Sequence, residues 1–367
     1  DRQRQTRRKA RTQSHGSNAP QSYDRQVSEA GFCNLNPLVG PSIGGILMCN
    51  KGLKAVIFMI TAAMITIASF PHTSSAASVD NSTVTRNIQI SVQVTNSGRQ
   101  PATGVEVQLP LISADSTYQQ TSREIFNQKV EKIETGETGS RTAHVVIDSI
   151  SPGQSETIIV DYLLRIKPGG GLTSTGALNE LQCYLKPSSK IESSHPEIVA
   201  LAEKLTGDID DEIAKINQIG KFIDAHMNYQ LNSVHKNRGA LSALRHGEGV
   251  CEDYAALFVA LSRASGMPAR QVNGFCDSQL TGASWRTGSS EVSLQGYRHA
   301  WAEVYIQDVG WVAVDPTFKI YPKKGQASLA ELSVSHIAQN YSDQPVKVSY
   351  QGEKLSVGWG NLLVNKQ

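Results

Sequence analysis

The chain has 367 residues, with 35 lysines and arginines against 33 aspartates and glutamates, a formal net charge of +2. That length accommodates two ordinary domains with extensions. The near balance of charge argues neither way about nucleic acid, and with no nucleic-acid motif in the chain no such partner is expected.

The charge is uneven. Arg2, Arg4, Arg7, Arg8, Lys9 and Arg11 crowd into a polar segment without periodicity. Residues 1–47 therefore read as a disordered or non-native N-terminal extension. Residues 48–77 read as a signal peptide that opens at Met48. Lys51 and Lys54 form its basic region, residues 55–70 its apolar core, and Ser75, Ala76 and Ala77 offer small residues for cleavage. An apolar core of this length is short of the roughly 20 residues that span a bilayer, although an uncleaved anchor at 55–70 is the alternative. A secreted or cell-surface location follows.

Residues 78–168 read as a β-sandwich of immunoglobulin-like type. Val84, Ile88, Ile90, Val92 and Val94 alternate with polar residues, Asn96-Ser97-Gly98 makes a turn, and Val105, Val107 and Leu109 resume the pattern. Val145, Ile147, Ile158, Val160, Tyr162 and Leu164 repeat it. Residues 169–194, which open on three glycines, form a linker and the approach to a second domain at 195–345. Residues 346–367 are left as a C-terminal strand or tail.

The second domain starts with helices. Pro196 suits a first helical turn capped by Ser194 or His195, and Ile213, Ile216, Ile219, Ile223 and Met227 follow an amphipathic period. A short helix is expected over 240–245. The next begins at Cys251, behind Gly247-Glu248-Gly249, with Gly266 and Pro268 as left-handed cap and stop. A helix start carries unpaired N–H groups and partial positive charge. It therefore favours thiolate over a thiol of pKa about 8.5. The Cys251 N–H is also placed to help bind an oxyanion.

Strands follow. In residues 299–306 alternation puts His299, Trp301, Glu303 and Tyr305 on one face, and residues 311–315 return as the partner strand. If the hairpin is centred on Gln307, His299 pairs directly with Asp315; another register would offset them. The stretch from Asp277 to Gln295 reads as a loop, either plain linker or a rim over a cleft. Of the five cysteines, Cys33 and Cys49 precede the cleavage site. Cys183 and Cys276 could pair in an oxidising compartment, or Cys276 could be an unpaired strand residue. No cysteine–histidine spacing supports a metal site, and no cofactor is expected.

Gly249-Val250-Cys251-Glu252-Asp253-Tyr254-Ala255-Ala256, Arg298-His299-Ala300-Trp301 and Val314-Asp315-Pro316-Thr317 together resemble the transglutaminase-like superfamily, which shares its fold with papain-type cysteine proteases. The resemblance covers about residues 180–320 and includes Tyr184-Leu185-Lys186-Pro187, Pro196 to Ala202, and Gly266-Met267-Pro268-Ala269-Arg270. It implies an α+β catalytic domain with Cys251 as nucleophile, His299 as base and Asp315 as its orienting carboxylate. Two departures stand out. No loop dense in acidic residues supports calcium dependence of the animal type. No tryptophan immediately precedes Cys251, so the second oxyanion donor is unassigned.

The expected function is a secreted cysteine-dependent acyl-transfer enzyme. It would attack peptide or glutamine-type amides of an extracellular peptide or protein through a thioester. The β-sandwich would offer association with cell wall or surface. The alternative is a non-catalytic surface binding protein on a retired scaffold of this kind.

Overall fold

The computed structural model describes residues 83–366, apart from positions 115, 117, 137, 168–177, 278–289, 294–295, 323–331, 333–334, 343–348 and 351–353. The expected extension and signal peptide, residues 1–77, lie outside them. Among the described residues no helix is long and apolar enough to cross a membrane.

Six strands come first: β1 (Val84–Asn96), β2 (Ala102–Pro110), β3 (Gln119–Phe126), β4 (Lys129–Thr135), β5 (Arg141–Ile150) and β6 (Ser155–Ile166). A 3₁₀ turn (Leu178–Leu185) leads to α1 (Pro196–Thr206), α2 (Glu212–His226), β7 (Asn228–Tyr229), α3 (Ala240–His246), β8 (Glu248–Gly249) and α4 (Cys251–Ala264). The remaining elements are β9 (Ala269–Cys276), β10 (Ser290–Ser293), β11 (Arg298–Ile306), β12 (Gly310–Val314), β13 (His336–Asn340), β14 (Ser349–Tyr350) and β15 (Leu355–Lys366).

The first unit is two antiparallel sheets, ordered β10-β15-β1-β6-β3 and β14-β2-β5-β4, facing each other across one apolar core. Ile88, Ile90, Val92 and Val94 of β1 meet Val105, Val107, Val145 and Val160 there, all buried. Each such side chain contributes roughly 1.5–3 kcal/mol of burial. The polar stretch between the alternating blocks supplies β3 and β4. Most positions of β4 are exposed, so it carries no inward apolar stripe for a sequence reader to find.

One expectation about the later chain needs correction, and one strand finds a distant partner. The segment 277–295 is not loop throughout, because Ser290–Ser293 forms β10 against β15. The C-terminal strand β15 pairs with β1 and joins the first unit. In both cases the partner strand is remote in sequence, and local pattern does not reveal it.

The second unit is an antiparallel sheet, β12-β11-β9-β13, with α4 against one face and α1, α2 and α3 around α4. Helix α4 is buried on nearly every side, as befits a central helix rather than an amphipathic surface one. His195 caps α1, its Nδ1 accepting from the Glu197 N–H at 3.3 Å, and Gly266 closes the turn after α4 with φ 80°. The two units are fastened at β13. The Gln119 amide donates to the Ala338 carbonyl at 3.0 Å and accepts from its N–H at 2.9 Å, while Gln339 donates to the Pro110 carbonyl at 3.0 Å. Phe275 and Ile337 of this sheet lie in the core of the first unit. Cys183 and Cys276 are not joined by a disulfide: the first is exposed and the second buried.

Candidate active site

Cys251 occupies the first turn of α4 and is fully buried, as the sequence places it. Its helix start is held by Asp253, whose Oδ2 accepts from the Val250 N–H at 2.9 Å and the Asn237 N–H at 3.0 Å. Oδ1 accepts from the Arg238 N–H at 3.2 Å. Burial pushes the Asp253 carboxyl up, against the lowering effect of these three donors. One carboxylate thus ties the loop before α3 to the turn that presents the thiol. Ala255 and Ala300 pack on Cys251, and half-buried Tyr229 lies against the same cluster.

His299 lies in β11 opposite Gly274 of β9, which in turn faces Ala338 of β13. A side chain at 274 would run into the Ile337 carbonyl and come 2.9 Å from Trp301 Cη2. Glycine there lets the sheet close behind the histidine.

The hairpin register is not the one centred on Gln307. Ala302 pairs with Val314 and Ile306 with Gly310, which centres the turn on Asp308. Asp308 adopts φ 63° at the middle of the three-residue turn 307–309, one position later than the centre expected. Continued one step, this register sets Asp315 opposite Trp301, two residues along from His299 and on the same face. The two side chains still meet: His299 Nε2 donates to Asp315 Oδ2 at 2.8 Å. Among the described residues Nδ1 of the ring makes no hydrogen bond, and Cys251 packs against Ala300, the residue next to His299 in β11. The structure therefore joins His299 to Asp315 and sets Cys251 beside the strand that carries His299.

Both charged groups are fully buried. Burial alone would lower the His299 pKa; the Asp315 carboxylate and Cys251 outweigh it and raise the pKa to about 10. Burial alone would raise the Asp315 carboxyl, but the His299 and His336 imidazoles hold it well below the usual carboxylate range. An ionised Asp315 facing a protonatable His299 is the electrostatic arrangement that stabilises an imidazolium beside a thiol.

A second histidine, which the sequence reading did not single out, completes the site. His336 Nε2 donates to the same Asp315 Oδ2 at 3.0 Å. Asp315 Oδ1 accepts from the backbone N–H groups of Thr317 at 2.9 Å and Phe318 at 3.2 Å. The carboxylate thus takes four donors. Nothing in the local pattern of residues 333–340 marks His336, which reaches the site only through the pairing of β13 with β9.

Cys276, His299 and His336 each place a ligand atom within 4.8 Å of the others. Sequence spacing gave no hint of this group. Sulfur and imidazole donors suit a cation of the zinc class. The hydrogen bonds of His299 and His336 to Asp315, and of His336 Nδ1 to Ser335 Oγ at 2.8 Å, account for the cluster in the protein's own groups.

Residues 199–316 match the model of the transglutaminase-like superfamily. The uncharacterized Bacillus subtilis protein YebA is 27% identical over 161 residues, 42% of this chain and 21% of that protein. A Pseudomonas aeruginosa protein-glutamine gamma-glutamyltransferase is 29% identical over 119 residues, 31% of this chain and 17% of the enzyme. The matches thus span about a fifth of the length of these curated relatives. A crystal structure from Cytophaga hutchinsonii, provisionally named a cysteine protease, superposes with a TM-score of 0.51 at 16% identity. That likeness covers 78% of this chain and 98% of the other, and it is a likeness of fold.

Proposed function

Because residues 199–316 belong to the transglutaminase-like superfamily, we propose that the chain is a cysteine-dependent acyl-transfer enzyme. Cys251 is the nucleophile, His299 its general base and acid, and Asp315 the group that orients His299. The single observation that carries this reading is the buried His299–Asp315 hydrogen bond, Nε2 to Oδ2 at 2.8 Å, on the strand whose Ala300 packs against Cys251.

The reaction runs in two halves. With the proton already on His299, the Cys251 thiolate attacks an amide carbonyl, so that a C–S bond forms and the carbonyl oxygen becomes an oxyanion. The Cys251 N–H, at a helix start, is positioned to donate to that oxyanion. Collapse breaks the C–N bond, His299 returns the proton to the leaving amine or ammonia, and a thioester remains. Water or a primary amine then attacks the thioester, with His299 again as base, and the thiol is regenerated. Water gives peptide cleavage or deamidation; an amine gives a cross-link. The triad serves both outcomes.

The substrate in this reading is an extracellular peptide or protein amide. Support comes from the secretory pattern of residues 48–77, which leaves a mature chain starting near Ser78. The two-sheet unit, of immunoglobulin-like type in this reading, associates with wall or surface. Hydrolysis is ranked ahead of amine transfer because no acidic loop of calcium-binding kind accompanies the site.

The test is to incubate the mature protein with a glutamine-rich protein and a fluorescent primary amine, following ammonia, new N-termini and covalent label together. Ammonia or new N-termini in excess of label, abolished by Cys251→Ala, is the expected result. Label outpacing both would reverse the ranking of acceptors. A Cys251→Ala protein as active as the parent would remove the mechanism.

A further inference from the structure

We propose that His336 is a positioning residue that holds the Asp315 carboxylate in the orientation His299 needs. This rests on the reading of Cys251, His299 and Asp315 as the reacting set.

A carboxylate on a strand end has two freedoms, rotation about its terminal torsion and swing about the first side-chain bond. The Thr317 and Phe318 N–H groups pin Oδ1. They leave Oδ2 free to move on an arc around that anchor. His336 and His299 take Oδ2 from different directions, their ring planes inclined at 59° and their centroids 5.6 Å apart. Two donors converging on one oxygen fix its place on the arc, where His299 alone would follow the carboxylate rather than be directed by it.

His336 is itself held on every side that the described residues supply. Ser335 Oγ lies 2.8 Å and Cys276 Sγ 3.9 Å from Nδ1, and the Trp301 ring meets the imidazole edge-on at 4.9 Å. Its side chain is fully buried. Beyond the ring, β13 is clamped by Gln119 through both polar groups of Ala338. A rigid edge strand thus presents a rigid donor.

The proton positions follow from the acceptor. Asp315 is ionised, so Nε2 of His336 carries the hydrogen it donates. On the other side of the ring, Nδ1 is paired with the Ser335 hydroxyl at 2.8 Å. Among the described residues, Asp315, His299 and Cys276 are titratable groups that face His336.

The test uses the full chain with His336→Ala, His336→Gln and His336→Met, read by the pH profile of Cys251 alkylation with iodoacetamide and by kcat against KM. With alanine, kcat falls about tenfold or more, the scale on which partners that orient a functional histidine usually act. KM stays put, and the alkylation profile shifts. Glutamine, which keeps an N–H donor at similar reach, recovers most of the loss; methionine, which fills the space without a donor, does not. Should the alanine protein fail to fold, the glutamine and methionine pair decides alone. A folded His336→Ala protein with unmoved profile and kcat overturns the inference while the triad stands, as does equal activity of the glutamine and methionine variants. A parent Cys251 that alkylates like a free thiol overturns the triad reading and takes this inference with it.

Discussion

His299 and Asp315 meet diagonally across the β11–β12 hairpin rather than face to face. The paired residues run Ala302 to Val314, so Asp315 comes opposite Trp301, yet its Oδ2 lies 2.8 Å from His299 Nε2. Diagonal neighbours on one face of a twisted pair are close enough for side chains of this length. The arrangement also frees Asp315 to leave the strand: its N–H and carbonyl bridge to Ile320 at 3.0 and 2.9 Å, and the side chain folds over the Thr317 and Phe318 N–H groups.

That geometry decides what Asp315→Asn does. The asparagine oxygen stays with the two backbone donors that now hold Oδ1, which puts the NH₂ group where Oδ2 was. It then points donors at two imidazole N–H groups, and His299 can relieve the clash only by moving its proton to Nδ1. A ring protonated there cannot accept the thiol proton. Turnover is expected to fall about 10⁴-fold, the cost of the equivalent change in a serine triad, with the melting temperature little changed. Activity within tenfold of the parent would separate Asp315 from the chemistry.

The same pair sets a pH dependence of stability. His299 has a folded pKa raised to about 10 from 6.5, so its contribution is complete below about pH 6.5 and is lost as pH rises toward 10. Asp315 is depressed, so its contribution is present above an unfolded pKa of about 3.9 and is lost as pH falls below that. Urea midpoints of the parent and His299→Gln should therefore differ most near pH 5–6 and converge toward pH 10, by an amount on the order of a few kcal/mol. A gap that widens with pH would contradict this sign.

How far the sequence carried depends on how local each signal was. Cys251, His299 and Asp315 sit in short blocks whose own pattern places them at a helix start and on paired strands. The helix caps at His195 and Gly266 are equally local. The hairpin register escaped because turns centred on Gln307 and on Asp308 are both compatible with the local pattern, and only the left-handed Asp308, φ 63°, separates them. His336 escaped because β13 meets β9 across sixty residues. Strands β3 and β4 escaped because their exposed faces carry no apolar alternation, and β10, with the partner of β15, because those pairings join strands far apart in the chain.

Asp253→Ala should act on the thiol at a distance. It removes the acceptor for Val250 at the start of α4 and leaves the Asn237 and Arg238 N–H groups without their carboxylate. Loss of a helix-start acceptor costs about 0.5–2 kcal/mol, and each buried donor left unsatisfied adds roughly 1–3. Cys251 follows Val250 directly, so its alkylation rate at pH 6–7 should drop together with stability. Asp253→Asn keeps one acceptor and should fall between. An alanine protein with undiminished alkylation would mean that the first turn of α4 holds itself.

The buried pair of Arg270 and Glu303 should matter to folding and leave the chemistry alone. Glu303 sits opposite Arg270 on β11 and β9, with the Arg270 Nε donating to Glu303 Oε2 at 2.8 Å and the pair almost wholly buried. The guanidinium is stacked between aromatic rings, 3.7 Å from the Tyr341 centroid and 4.1 Å from that of Trp311. Burial by itself would lower the Arg270 pKa, but the Glu303 carboxylate reverses the direction, so the guanidinium stays charged at every working pH. Glu303→Ala strands that charge inside the sheet and should cost about 3–5 kcal/mol in urea unfolding. Replacing both partners together, Arg270→Met with Glu303→Leu, removes the charge and the cavity at once and should recover most of that loss. Cys251 alkylation in the folded fraction should match the parent in both proteins. A Glu303→Ala protein as stable as the parent would show that water or a neighbour takes over the carboxylate's role. A double variant worse than the single would show that the aromatic stack on Arg270, and not its ion pair, holds β9 against β11.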